Sequence, residues 1–169
     1  MIEFISNLLP TPLHPAVVHL PIALTLLVPV FAVGSLIAIR RGARPTRAWA
    51  LTIALLGALS LSAWVSLQTG GAEEERVEEV VPESAIEGHE EAAEAFLALS
   101  VLVLIVGAAG LLNGRVGSTA RYAATAGTVA LLIAGYRVGH SGGALVYQHG
   151  AAQAYVGPAA TLQRTERTR

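Results

Sequence analysis

Residues 15–39 read PAVVHLPIALTLLVPVFAVGSLIAI, a run of apolar and small residues that contains no arginine, lysine, aspartate or glutamate. The hydrocarbon core of a bilayer is about 30 Å thick, and about 20 apolar residues in a helix cross it. A secretory signal has a shorter apolar segment with basic residues before it, whereas here Arg40 and Arg41 follow the run. The stretch therefore predicts a transmembrane helix.

Three further segments have the same apolar character, at about 48–67, 92–112 and 122–139. With the first span they predict an all-α membrane protein, a four-helix bundle over residues 1–150 followed by a C-terminal tail at 151–169. The composition agrees with this class, because 53% of the residues are hydrophobic and 14% are charged, against about 45–50% and about 25% in soluble domains. The lipid bilayer is the first expected partner.

The arginines near the span ends predict the orientation. The loops after the first and third spans hold Arg40, Arg41, Arg44, Arg47, Arg115 and Arg121. Cytoplasmic loops carry an excess of basic residues, so we expect these two loops in the cytoplasm and both chain termini on the outer side. Trp49 and Trp64 lie near opposite ends of the second span, as interfacial anchors do.

The predicted outer loop at 69–91 is strongly acidic. Its residues 72–80 predict a short amphipathic helix that Pro82 ends. The capping-box pattern from Ser84 to Glu87 predicts the start of a helix that continues through His89 into the third span. Ten of the twelve glutamates lie between Glu73 and Glu94. Such a run is ordinarily a solvated surface, although it can also steer a basic cytochrome or a divalent metal ion. The net charge of −1 gives no electrostatic footprint for nucleic acid, so nucleic acid is not an expected partner.

All five histidines fall on the predicted outer side. They are His14 and His19 at the start of the first span, His89 before the third, His140 at the end of the fourth, and His149 in the tail. The chain has no cysteine, which excludes iron–sulfur clusters, thiolate metal sites and a cysteine-linked haem. A b-type haem needs axial imidazoles from helices that face each other across the ring.

We therefore predict a haem b site with His19 and His140 as the first choice of axial ligands and His89 as the next. His14 offers a route to a second haem, because it points in a different direction from His19 on one helix. His149 is expected at the surface or as a supporting residue. Arg137 lies one turn before His140, and an arginine at membrane depth needs a partner. We expect that partner to be a haem propionate or a glutamate near His89.

Two segments resemble a known family. LHPAVVHLPIAL at Leu13–Leu24 and GHSGGALVYQHG at Gly139–Gly150 resemble the motifs of the bacterial membrane family catalogued as domain of unknown function 2231, and His89-Glu90-Glu91 is a weaker match. The resemblance covers the chain to about Gly150 and implies four membrane spans. Some relatives are joined to, or lie near, cytochrome c-like domains, which implies a redox setting in the bacterial inner membrane. The motif histidines map to His14, His19, His89, His140 and His149.

These features favour a b-type haem protein that passes electrons between the quinone pool and a periplasmic redox protein, such as a cytochrome, as a subunit of a larger membrane complex. The chain has no nucleophile elbow, phosphate loop or zinc-protease motif, so an electron carrier is expected rather than a stand-alone enzyme. One alternative is a metal-handling protein in which His14, His19, His89 and Glu90 bind Cu, Zn or Fe. Another is a structural subunit without a cofactor.

Overall fold

The computed structural model describes residues 12–156. Within that range the helices are α1 (His14–Val17), α2 (His19–Arg40), α3 (Pro45–Gly71), α4 (Glu74–Glu78), α5 (Glu83–Ala109), α6 (Gly114–Tyr147) and a 3₁₀ helix (Ala151–Tyr155). The described part of the chain contains no strand. Four segments are long and apolar enough to cross a membrane: α1 with α2, α3, α5 and α6. The predicted all-α, four-span fold is therefore confirmed.

Proline and glycine set several of the helix ends. Pro45 is the first residue of α3, where its missing N–H would have no helical partner in any case. Pro82 is extended and directly precedes α5. Gly42 ends the first span with a φ of +99°, a backbone conformation that glycine adopts without steric cost.

The acidic segment is largely helical, as the sequence indicated. The short helix predicted at about 72–80 is α4, and the helix predicted to run through His89 into the third span is α5. Glutamate is a good helix former, so α5 extends past the hydrophobic part of its span. The N-cap of α5 is Pro82, so Ser84 is not the capping residue that the sequence predicted.

The four long helices pack in an up-down-up-down bundle, in which each contacts two neighbours in the order α2, α3, α5, α6 and back to α2. The centre is filled by fully buried side chains such as Val28, Leu56, Leu59 and Leu131. Large apolar side chains also point outward from every long helix: Val30, Leu61, Ile105 and Ile133 are each between 62% and 66% exposed. Apolar exposure of this extent suits a protein that is solvated by lipid.

Hydrogen bonds between helices hold the bundle together on the side away from the histidines. Trp49 is fully buried, and its Nε1–H donates to the Gly107 carbonyl of α5 at 2.9 Å. Ser35 Oγ donates to the Ala48 carbonyl at 2.8 Å, which ties α2 to α3. Interhelical hydrogen bonds of this kind stabilise membrane bundles. The prediction that Trp49 is an interfacial anchor is therefore wrong, whereas Trp64 is half exposed.

The topology gives the two ends of the bundle different characters. The starts of α1 and α5 lie at the same end as the last turns of α3 and α6. We call this the histidine end, because it carries His14, His19, His89, His140 and His149. The short helix α4 and the 3₁₀ helix lie there as well.

A candidate cofactor site at the histidine end

Two histidines from different helices face each other at the histidine end. The ring centres of His14, on α1, and His89, on α5, are 6.3 Å apart, and the ring planes are nearly perpendicular at 82°. Both side chains are half-buried. A Cβ atom at Gly70 would lie 3.2 Å from Cε1 of His14, and one at Gly142 would lie 3.0 Å from Cε1 of His89. Glycine at these two positions lets each imidazole lie directly against a neighbouring helix.

The hydrogen bonds fix the tautomer of both rings. His14 Nδ1 lies 2.9 Å from the Ser66 carbonyl oxygen, which only accepts, so Nδ1 carries the proton. The Ser141 hydroxyl donates to the Val138 carbonyl, and its oxygen therefore accepts from His89 Nδ1–H at 2.9 Å. In neutral imidazole the other nitrogen then holds a lone pair. Each ring has its Nδ1 engaged, and each Nε2 has a lone pair that can bind a metal.

The two rings form part of the wall of a cavity of about 640 Å³ that lies between the helices. Sites for small molecules and cofactors usually measure about 300–1,000 Å³ and are mostly apolar. The apolar lining includes Val18, Ile22, Leu67, Val77, Ile86, Phe96, Val138, Leu145 and Val146.

One side of the cavity is formed by glycines of α6. We call them the glycine wall: Gly135, Gly139, Gly142 and Gly143. A Cβ atom at Gly139 or Gly143 would meet no other atom within 4 Å. The wall therefore leaves space into which a larger side chain would project, and a flat ligand can lie against it.

Three polar residues close the mouth of the cavity. Tyr155 Oη donates to Glu73 Oε2 at 2.6 Å, and the Leu13 N–H donates to Glu73 Oε1 at 3.4 Å. The Arg76 guanidinium lies 5.5 Å from the centre of the Tyr155 ring. Burial and the bond to the Glu73 carboxylate raise the pKa of Tyr155 to about 12, so the phenol remains a neutral donor. These contacts tie the 3₁₀ helix and the start of α1 to the beginning of α4.

Carboxylates give the mouth a negative potential. Glu73, Glu74 and Glu90 all line the cavity. The pKa of Glu74 is raised above its usual value, chiefly by the charge of Glu90 and further by burial, Glu78 and Glu83. The carboxylates of α4 and α5 thus repel one another when they are ionised.

The structure does not bring His19 and His140 into this cavity. His19 is exposed, and its Nδ1 donates to the Ala16 carbonyl of its own chain segment at 3.3 Å. His140 is also exposed and stacks on Tyr136, with ring centres 5.9 Å apart. His149 is exposed beyond the end of α6. The geometry thus groups His14 with His89, whereas the sequence ranked His19 and His140 first.

Arg137 lies elsewhere too. It is exposed and lines a separate cleft between α5 and α6 together with Glu91 and His140. Glu91 is one of the glutamates near His89 that the sequence named as candidate partners. The arginine that contacts the cavity wall is Arg76, through Tyr155.

Sequence reasoning missed the residues that contact the two rings, and it missed those that close the cavity. The first group is Ser66, Gly70, Ser141 and Gly142, and the second is Arg76 and Tyr155. One signal was present in the sequence, because the glycines around His140 indicate the close approach of another group. That group is His89, which packs against Gly142 from the opposite helix.

A family model described as "Predicted membrane protein (DUF2231)" matches residues 10–154. The chain belongs to the DUF2231 family. The match extends over the six α-helices described within residues 12–156 of this DUF2231 protein and over both histidines of the cavity. The comparisons with curated proteins and with solved structures give no match.

The side chains that this DUF2231 protein offers as ligands determine which metal centres it can hold. Among residues 12–156, no group of three or more His, Cys, Asp or Glu side chains is arranged to hold a metal ion. An imidazole nitrogen lies about 2 Å from a bound ion and about 1 Å from the centre of its own ring, so two imidazoles on opposite sides of one ion have centres about 6 Å apart. The 6.3 Å between His14 and His89 meets this spacing. A b-type haem needs only such a pair from the protein, because the porphyrin fills the remaining coordination positions of the iron.

Proposed function

We propose that the protein is a b-type haem-binding electron-transfer protein of the bacterial inner membrane. The observation that carries the proposal is the pair of imidazoles with centres 6.3 Å apart, each with its Nδ1 hydrogen-bonded to a residue of another helix. Ligating histidines almost always donate their other ring N–H to a carbonyl, carboxylate or water, which fixes the ring. The large apolar cavity around the pair supports a macrocyclic ligand over a bare ion.

Each group of the site has a role in this proposal. His14 and His89 hold the iron through Nε2, and the hydrogen bonds to Ser66 and Ser141 orient the two rings. The glycine wall of α6 accepts the flat face of the porphyrin, and the apolar lining excludes water. Arg76 is the cation next to the cavity that suits a propionate. When bound, the haem supplies an iron that takes up and releases one electron.

The expected setting follows from the arginine distribution. The loops and helix ends opposite the histidines carry six of the eleven arginines, which supports a cytoplasmic location for that end and a periplasmic one for the histidine end. The protein would then pass electrons between the quinone pool and a periplasmic redox partner, as a subunit of a larger complex. The glutamates of α4 and α5 favour a partner with a basic surface.

The first test is the visible spectrum of the detergent-purified protein, oxidised and then reduced with dithionite, with a pyridine haemochrome assay and metal analysis on the same sample. We expect a Soret band, sharp reduced α and β bands, and iron in equal amount to the protein. His14→Ala and His89→Ala should each abolish or strongly alter this spectrum. His149→Ala, an exposed histidine at the same end, is the matched control and should leave it unchanged. A colourless protein from cells with adequate haem supply would overturn the proposal.

A transition-metal site is the second candidate, because Glu73, Glu74 and Glu90 line the same cavity as the two histidines. Copper or zinc bound by imidazole with carboxylate or water would suit this mixture. Copper or zinc in equal amount to the protein, without a Soret band and lost in His14→Ala, would favour this function. A protein that is both colourless and metal-free would instead favour a structural subunit.

A further inference from the structure

A second depression lies on the outside of the bundle, between α5 and α6 at the histidine end. It measures about 760 Å³. Residues from α5 (Gly88, Glu91, Ala92 and Ala95) and from α6 (Ala130, Ile133, Ala134, Tyr136, Arg137, His140 and Ser141) line it. We call it the α5–α6 cleft. Neither His14 nor His89 lines it, so it is a separate site.

Polar and apolar residues are segregated along the cleft. Glu91, Arg137 and His140 lie toward the histidine end, where α5 begins and α6 ends. Farther from the histidine end, along the helices toward the membrane centre, both walls of the cleft consist of small or aliphatic side chains, such as Ala95 and Ala130. An occupant that enters from the membrane would therefore place a polar head near the interface and an apolar body against the alanines.

The charges of the polar end favour a neutral head group that accepts hydrogen bonds. The Arg137 guanidinium is a donor with no acceptor capacity, and it is exposed rather than packed into the core. The carboxylate of Glu91 in the same cleft would repel the phosphate of an anionic lipid. A quinone carbonyl accepts hydrogen bonds without carrying a charge. The flat surface formed where His140 stacks on Tyr136 adds an aromatic face beside it.

One hydroxyl connects this cleft with the histidine pair. Ser141 lines the cleft and accepts the hydrogen bond from His89 Nδ1–H at 2.9 Å. We infer that the α5–α6 cleft binds the ring of an isoprenoid quinone, with the carbonyl toward Arg137 and the isoprenoid tail toward the alanines. This inference rests on the proposed function for its meaning, because it places the membrane-soluble redox partner beside the second ligand of the haem.

The test is photoaffinity labelling with an azido derivative of ubiquinone, followed by mass-spectrometric mapping of the labelled peptides. We expect label on residues 88–95 of α5 and 130–141 of α6, and competition by unlabelled decylubiquinone. Ala130→Phe fills the cleft from an exposed position, and the overpacking should lower labelling about ten-fold. Ala126→Phe, one turn earlier on the same helix, also exposed and outside the cleft, is the matched control and should label like the unaltered protein.

A second pair of variants tests the polar end. Arg137→Gln should weaken competition by decylubiquinone about ten-fold, whereas Arg115→Gln, an exposed arginine at the opposite end, should not change it. Equal labelling of Ala130→Phe and Ala126→Phe, or displacement of the label by phosphatidylglycerol, would overturn the inference. The labelling is carried out on haem-free His14→Ala protein as well as on unaltered protein. Label in the cleft of both proteins supports the quinone site independently of the haem. Unaltered protein that is labelled but has no Soret band rejects the haem proposal alone, whereas unaltered protein that has a Soret band but no label in the cleft rejects the quinone site alone.

Discussion

The imidazole rings of His14 and His89 face each other with their centres 6.3 Å apart, and each donates its Nδ1–H away from the other ring. Because each Nδ1 is engaged by a residue of another helix, the Nε2 lone pair of each neutral ring remains for a ligand. A pair that served only to hold α1 against α5 would gain more from one direct hydrogen bond between the rings. This arrangement supports the proposal that the two histidines are a ligand pair, and the variants below probe the parts that maintain it.

Gly139→Leu and Gly143→Leu should abolish haem binding without unfolding the protein. Both positions line the cavity, and an added Cβ meets no other atom within 4 Å. The larger side chain is therefore expected to enter the cavity and to occupy the space of the proposed haem. The measurement is the haem content per protein together with the thermal unfolding midpoint of the haem-free form. Gly57→Leu also projects into open space but lies outside the cavity, and it should bind haem normally.

Ser141→Ala should lower the affinity for haem about 10- to 100-fold, the usual effect of losing a group that orients a ligating histidine. The lost hydrogen bond also makes His89 a weaker electron donor to iron, so the reduction potential should rise. Both quantities come from haem titration and from a spectroscopic redox titration. Ser118→Ala, near the opposite end of α6, is the control. An unchanged potential would contradict the ligand role of His89.

Gly142→Ala should displace the His89 ring, because the new Cβ would lie 3.0 Å from Cε1 of that ring. A shift of a few tenths of an ångström changes the angle between the two axial imidazoles. The electron paramagnetic resonance spectrum of the oxidised haem, which responds to that angle, should therefore change. Gly34→Ala adds a methyl group that meets nothing within 4 Å and should leave the signal as it was.

Tyr155→Phe should loosen the closure over the cavity and reduce the free energy of unfolding by about 1 kcal/mol, the net value of one hydrogen bond. The folded pKa of about 12 lies above the ordinary value of 10.0, so the stabilisation is fully present below pH 10.0 and is lost as the pH rises toward 12. Denaturant titrations of both proteins across this range measure the difference. Tyr147→Phe, at a tyrosine that is 89% exposed, should have no effect.

Glu74→Gln should stabilise the histidine end at neutral pH, because it removes repulsion from Glu90, Glu78 and Glu83. A carboxyl group whose folded pKa is raised destabilises the fold above that pKa, and the cost disappears as the pH falls toward the ordinary value of 4.5. The unfolding midpoints of the variant and the unaltered protein should therefore converge at low pH. Glu79→Gln removes a carboxylate that is not among those acting on Glu74. If it stabilised the protein equally, net charge rather than this cluster would be the cause.

Much of the fold followed from the sequence alone. The four apolar runs fix the number of spans, because only a helix of about 20 residues satisfies its backbone across a bilayer. Consecutive spans run in opposite directions, so the starts of the first and third spans and the end of the fourth, which bear histidines, lie at one end of the bundle. The absence of cysteine excludes thiolate ligands. These inferences need no knowledge of how any helix is rotated.

The rotation of each helix was decided only by the tertiary structure. In a soluble protein a polar face shows which side of a helix is outward, but here both the core and the lipid are apolar, so the sequence carries little information about rotation. Packing sets it instead, through contacts such as Trp49 on the Gly107 carbonyl and Gly127 against Val103. Those contacts turn Gly142 toward His89 and leave His140 exposed. The sequence therefore determined that histidines gather at one end, and side-chain packing decided which two of them meet.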